Sequence, residues 1–187
     1  FDGDLSDAAW KEAAKLTGWT QADLLLPTAE GNETEGRIMR VGNHLVIGLV
    51  CEQPNGIWAQ TPADVHTGTR IWREAGCEFF FGPPVKAGEE QEFIQYIVNA
   101  LGAFRGFNKA QDNRKDVHCA VKQADDGKSY TIEVALPLKV DGLYDYTDGR
   151  AFTFNVMRNP FYGNTFNSKE RIGWAPIFFT AGRPESR

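Results

Sequence analysis

Gly36-Arg37-Ile38-Met39-Arg40-Val41-Gly42-Asn43-His44-Leu45-Val46-Ile47-Gly48-Leu49-Val50 reads as two extended segments around one turn. From Gly36 to Val41 apolar and polar residues alternate with the period of a half-buried strand, Asn43 marks a turn, and a short apolar run follows. The pair predicts a β-hairpin. The same signature recurs down the chain, with strands predicted over 77–81, 93–99, 103–107, 117–122, 130–136, 151–157 and 172–179. Asp125-Asp126-Gly127-Lys128 predicts a turn between two of them. Pro137 has no N–H to donate and should stop the strand before it. Many short strands joined by turn-rich connections predict an all-β sandwich or barrel.

One segment has a different character. Asp7-Ala8-Ala9-Trp10-Lys11-Glu12-Ala13-Ala14-Lys15 is rich in helix formers, and Ser6 stands where an N-cap belongs. A short N-terminal helix is predicted there, anchored in the core by Trp10. The polar stretch from Gln53 to Thr69 predicts a surface loop. There is no internal repeat and no low-complexity tract.

The 187 residues suit one domain over 1–187, long enough to bury its own core. Phe1 is not a natural start, so upstream residues are expected to have been removed or left out. Twenty basic against 25 acidic residues give a net charge of −5, which speaks against a nucleic-acid partner, since that footprint needs clustered Lys and Arg. No apolar run approaches the ~20 residues of a helical membrane span. Cys51, Cys77 and Cys119 form no C-x-x-C pair and sit in apolar, strand-like contexts. They read as buried small hydrophobes, with one disulfide plus a free thiol as the alternative that secretion would favour. Folding is expected not to require a disulfide. Asn32-Glu33-Thr34 is a formal N-glycosylation sequon, expected in an exposed turn.

For catalysis, a glycosidase needs two carboxylates at a set separation. Glu78 and Glu133 alternate with apolar neighbours, and either could face a concave sheet, but a lone strand Glu is most often a solvated outer-face residue. Nucleophile-elbow, P-loop, zincin and dinucleotide motifs are absent from the sequence. Two copies of Asp-Val-His, at 64–66 and 116–118, could each offer an oxygen and an imidazole on one strand face. Calcium held by scattered carbonyls and carboxylates is the more plausible metal, with Asp2, Asp4 and Asp7 as weak candidates. The strongest physical lead is aromatic. Trp58 and Trp72 lie in or beside the long loop among polar neighbours, where exposing an indole forfeits the stabilisation of burying it. A sugar ring stacking on the indole would supply a reason, with planar polar side chains meeting its hydroxyls. The alternative for each Trp is that it covers the end of the sandwich core.

The opening Asp2-Gly3-Asp4-Leu5-Ser6-Asp7-Ala8-Ala9-Trp10 resembles the "DG-x-L-D-D-x-x-W" start of family 9 carbohydrate-binding modules and their DOMON-like relatives. Later blocks follow in the family's order: Trp72 with Cys77-Glu78-Phe79-Phe80-Phe81-Gly82-Pro83, Gln95-Tyr96-Ile97-Val98-Asn99 with Gly102, Ala120-Val121-Lys122 through Glu133-Val134-Ala135-Leu136-Pro137, Phe154-Asn155-Val156-Met157-Arg158, and Gly173-Trp174-Ala175-Pro176. The resemblance covers nearly the whole chain. It departs from the pattern at Ile97, where an arginine stands in one version of the motif, and in the loop after Pro176, where Phe178 and Phe179 replace a second stacking Trp.

The resemblance implies a β-sandwich of two antiparallel sheets with one short N-terminal helix. It also implies a non-catalytic module binding a poly- or oligosaccharide, with an attached catalytic domain in the same polypeptide and a secreted or cell-surface location. Trp72 would be the stacking platform, Glu78, Gln95 and Asn99 the hydroxyl partners, Arg158 a further donor, Trp58 a second aromatic, and Trp174 a mostly buried structural residue. No cofactor is implied, and a structural calcium is compatible with it. Two rivals stay open: a DOMON-like haem domain using Met39 or Met157 with His44 or His118, and a structural module packing against a neighbouring domain.

Overall fold

The computed structural model describes residues 1–21, 26–28, 30–64, 70–84, 93–107, 116–160 and 171–174. The predicted hairpin is present. Strands β3 (Thr34–Val41) and β4 (His44–Glu52) pair antiparallel from Thr34↔Cys51 to Val41↔His44. That register leaves Gly42-Asn43 as a two-residue turn, with Gly42 at φ +57°, where glycine escapes the Cβ penalty.

The hairpin belongs to a five-stranded sheet ordered β1-β3-β4-β9-β8, where β1 is Ala14–Leu16, β8 is His118–Gln123 and β9 is Ser129–Pro137. A six-stranded sheet is ordered β2-β13-β12-β5-β6-β7, where β2 is Thr20–Gln21, β5 Gly76–Gly82, β6 Ile94–Asn99, β7 Phe104–Phe107, β12 Thr153–Asn159 and β13 Ile172–Gly173. β10 (Lys139–Val140) and β11 (Tyr144–Asp145) form a small ribbon. All described pairings are antiparallel. The chain is all-β.

Alternation along the strands sends one set of side chains between the sheets. Ile47 and Leu49 of β4 and Ile132, Val134 and Leu136 of β9 meet Phe79 and Phe81 of β5 and Tyr96 and Val98 of β6 in one buried cluster. Each such side chain contributes about 1.5–3 kcal/mol over its exposed state. The outer face of the five-stranded sheet is covered by the N-terminal segment. Trp10, 2% exposed, packs there with Ala13, Val46 and Ala135. Gly48 makes room for it, since a Cβ there would stand 2.8 Å from Leu5 and 2.9 Å from the Trp10 ring.

The helix is shorter than its composition suggests. α1 spans Ala8–Glu12 with Asp7, not Ser6, at the N-cap position and no side-chain capping bond. The Ser6 N–H instead donates to Asp4 Oδ1 at 3.0 Å. Ala14 and Lys15 pair with Ile38 and Arg37 as strand β1, so sheet pairing overrides their helix propensity. In the loop after β4 the described residues carry no strand, but the loop is not wholly a surface feature: Gln53 and Thr61 are buried. The rest of that loop, 65–69, and the strand predicted beyond Trp174 lie outside the described residues.

Candidate functional site

The outward face of the six-stranded sheet carries a polar cluster where solvent-facing side chains were expected. Glu78 points away from the core, between the inward Cys77 and Phe79, yet it is only 1% exposed. Its Oε2 accepts from Gln95 Nε2 at 2.5 Å and its Oε1 from Asn159 Nδ2 at 2.6 Å. Both are diagonal cross-strand contacts, since the register partners of Glu78 are Met157 on β12 and Ile97 on β6. Burial lifts the Glu78 carboxyl above its ordinary pKa, while the Arg171 charge and the two amide hydrogen bonds pull it back. Donation to the carboxylate fixes which way the Asn159 amide points. Its Oδ1 is then left buried with no hydrogen-bond partner.

An aromatic group adjoins this cluster through the sheet register. Ile97, the partner of Glu78, packs with Ile71 and Ala103 in a separate buried cluster that Trp72 and Phe107 flank. Phe107 is the register partner of Gln95. Trp72, half-buried in the 3₁₀ turn Ile71–Arg73, meets Phe107 edge-on with ring centroids 5.5 Å apart. Arg105, the partner of Ile97 on β7, lies over the Phe107 ring at 4.6 Å. Phe80 sits on the same face as Gln95 and contacts Phe93 at 5.8 Å. Trp72, Glu78 and Gln95 are therefore on one face of one sheet.

The other three sequence candidates have different surroundings. Asn99 is fully buried, and all its amide capacity is used. Nδ2 donates to the Thr61 carbonyl at 2.8 Å and to Glu74 Oε2 at 2.7 Å, while Oδ1 accepts from the N–H groups of Leu101 and Ala103 at 3.1 and 2.7 Å. With Glu74, which also takes the Gln60 and Thr61 N–H groups, it ties the long loop to the turn after β6.

Arg158 points the opposite way from Glu78. It pairs in register with the inward Cys77, is 0% exposed, and reaches across to the other sheet. Its Nη1 donates to Asn32 O, Glu33 O and Thr34 Oγ1, and its Nη2 to Glu52 O and Gln53 Oε1, with the guanidinium 5.8 Å from the Tyr130 ring centre. It clamps the two sheets. The sequon is drawn into that clamp, leaving Asn32 half-buried and Thr34 buried. Trp58 packs against the inter-sheet core and its carbonyl accepts from the Ala75 N–H at 2.7 Å. Trp174 is only partly buried against that core, 6.2 Å from Phe154.

The remaining sequence candidates are dispersed. Glu133 belongs to the other sheet, where its carboxylate accepts the Asp2 and Gly3 N–H groups. Asp4 pairs with Lys122 at 2.9 Å and Asp2 accepts from the Asp4 N–H. Among the described residues no group of three His, Cys, Asp or Glu side chains could hold a metal ion. His66 lies outside the described residues, as do Phe178 and Phe179. Met157 is on the six-stranded sheet, whereas His44 and His118 neighbour each other on the five-stranded one, ring centroids 6.1 Å apart. Asn159 was missed by the sequence reading. The strand was predicted to end at 157, and only the register that turns Arg158 inward places Asn159 on the outward face with Glu78.

No family model and no curated protein matches the sequence. Solved structures do match the fold. A family 9 carbohydrate-binding module from Caldicellulosiruptor kristjanssonii in complex with cellotriose superposes with a TM-score of 0.59 at 13% identity, covering 97% of this chain and 80% of that one. A structure of such a module from the same organism in complex with glucose gives 0.58 at 14%, covering 97% and 82%. A candidate carbohydrate-binding protein from Bacteroides uniformis gives 0.54 at 15%, covering 89% and 79%. This chain has the β-sandwich fold of the family 9 carbohydrate-binding modules.

Proposed function

We propose that the chain is a non-catalytic module that binds a poly- or oligosaccharide on the outward face of its six-stranded sheet. The observation that carries this reading is the Glu78–Gln95–Asn159 cluster set beside the Trp72–Phe107 pair. A pyranose has one apolar C–H face and a rim of hydroxyls. The indole of Trp72 takes the first by stacking, and the planar Gln95 amide, oriented by the Glu78 carboxylate, takes the second by hydrogen bonds. Among the described residues, Glu78 is the only carboxylate on the strands of this sheet, which suits binding better than glycoside hydrolysis, where two are used. The cellotriose and glucose complexes of the structural neighbours support the ligand class.

In this reading Trp72 and Gln95 meet the ligand, while the buried Glu78, tied to Asn159, holds the Gln95 amide in place. Arg158 and Asn99 hold the scaffold, and Trp58 covers the core. The module works outside the cell, tethered to a catalytic domain in the same polypeptide, whose effective concentration at a polysaccharide it raises. A glycan array followed by calorimetry on the whole chain tests the proposal. Binding to at least one glycan is expected, weakened more than tenfold by Trp72→Ala. Absence of binding across the array, or a Trp72→Ala variant that binds like wild type, would overturn it.

A further inference from the structure

Cys51 and Cys77 lie on β4 and β5, strands of different sheets, and their sulfurs face each other across the core at 3.8 Å. Both residues are 0% exposed, whereas Cys119 lies apart and touches the Gly102 carbonyl. We propose that Cys51 and Cys77 are a cross-linking site, joined in the mature protein by a disulfide that bolts the two sheets together.

The approach needed is small. A disulfide brings the sulfurs to about 2.05 Å, so the gap closes by ~1.8 Å. The Tyr130 hydroxyl is buried beside the two thiols, and the Arg158 charge acts on both. Oxidation removes both S–H donors and leaves the sulfurs as weak acceptors beside the Tyr130 hydroxyl. Burial pushes the Cys77 thiol up, and Cys51 beside it adds to that, while the Arg158 charge works against both. The facing sulfurs, sealed together between the sheets, are the pair that oxidation joins.

The chemistry needs an oxidant, and a small-molecule disulfide such as oxidised glutathione suffices. One protein thiolate attacks it, expels a small thiolate and forms a mixed disulfide. The second protein thiolate attacks the protein-side sulfur of that bond and expels the other small thiolate. Two protein thiols become one cystine, the small disulfide becomes two thiols, and these carry off the two protons. Because both sulfurs are sealed in the native core, exchange belongs to the stage before the sheets close. The finished bond should then resist reductant until the chain unfolds.

The test refolds the reduced, denatured chain in a mixture of oxidised and reduced glutathione. The expected product is about 2 Da lighter than the reduced chain, with a single reactive thiol after denaturation and Cys51 and Cys77 joined in a non-reducing digest. It should melt on the order of 10 °C above the reduced chain, given the 26-residue separation it closes. A Cys51→Ala, Cys77→Ala double variant should melt alike with and without oxidant. Three reactive thiols after oxidative refolding, or a cross-link through Cys119, would overturn the proposal. If the double variant fails to fold, the mass and thiol count of the wild-type chain still decide.

Discussion

Replacing Arg158 with Met keeps most of the side-chain volume while deleting five hydrogen bonds, so cavity formation contributes little and the loss is electrostatic. Nη1 gives up Asn32 O at 3.1 Å, Glu33 O at 3.0 Å and Thr34 Oγ1 at 3.0 Å, and Nη2 gives up Glu52 O and Gln53 Oε1. Bonds from a charged donor contribute about 1.5–3 kcal/mol each in isolation, but they share one guanidinium and do not add. The three carbonyls belong to residues that reach the surface and can regain water, whereas the Thr34 hydroxyl is buried and loses this donor. Breaking a buried charged cluster by removing one partner typically costs about 3–5 kcal/mol, and that range applies here. For a chain of this length it is a fall in melting temperature of roughly 6–20 °C. Thermal and urea denaturation of Arg158→Met against wild type measure it, with glycan affinity read at a temperature where both are folded. The account expects a large loss of stability and unchanged affinity, because Arg158 and Glu78 face opposite sides of the sheet. A loss below ~1 kcal/mol, or a tenfold fall in affinity with the fold intact, would refute it.

Asn99→Ala removes four bonds that pin the long loop, and should lower stability by about 2–4 kcal/mol in urea titrations without a direct effect on ligand affinity; a fully stable variant would show that the Glu74–Asn99 tie is dispensable. Burial raises the Glu78 pKa above the ordinary 4.5, so the folded chain holds this proton more readily than the unfolded one. Its destabilising effect is absent below pH ~4.5, grows as pH rises through the folded pKa, and is constant beyond it. The melting temperature of wild type minus that of Glu78→Gln should therefore fall with rising pH across that window and then level off, and a flat or rising difference would contradict the sign.

The hairpin over Gly36 to Val50 was legible because its two periods and its turn are all local. The helix end was not, because Ala14 and Lys15 are held extended by Arg37 and Ile38, more than twenty residues away. The face on which Glu78 and Gln95 lie followed from alternation, but their burial did not. A lone strand carboxylate is usually solvated, and only the β5–β6 and β5–β12 registers bring two amides onto this one. Arg158 was misplaced for the same reason. Its motif marks it as special, but only its pairing with Cys77 shows that it points inward. The Cys51–Cys77 contact depends on how two sheets stack, which no spacing along the chain records.

Native electrophoresis through gels cast with a panel of soluble polysaccharides tests the central claim most directly, run with wild type, Trp72→Ala and Glu78→Gln side by side and with their melting curves in hand. The account predicts that at least one polysaccharide retards the wild-type chain, and that both variants migrate as in a polysaccharide-free gel while remaining folded. Equal retardation of wild type and Trp72→Ala, or no retardation of wild type in any gel, would contradict it.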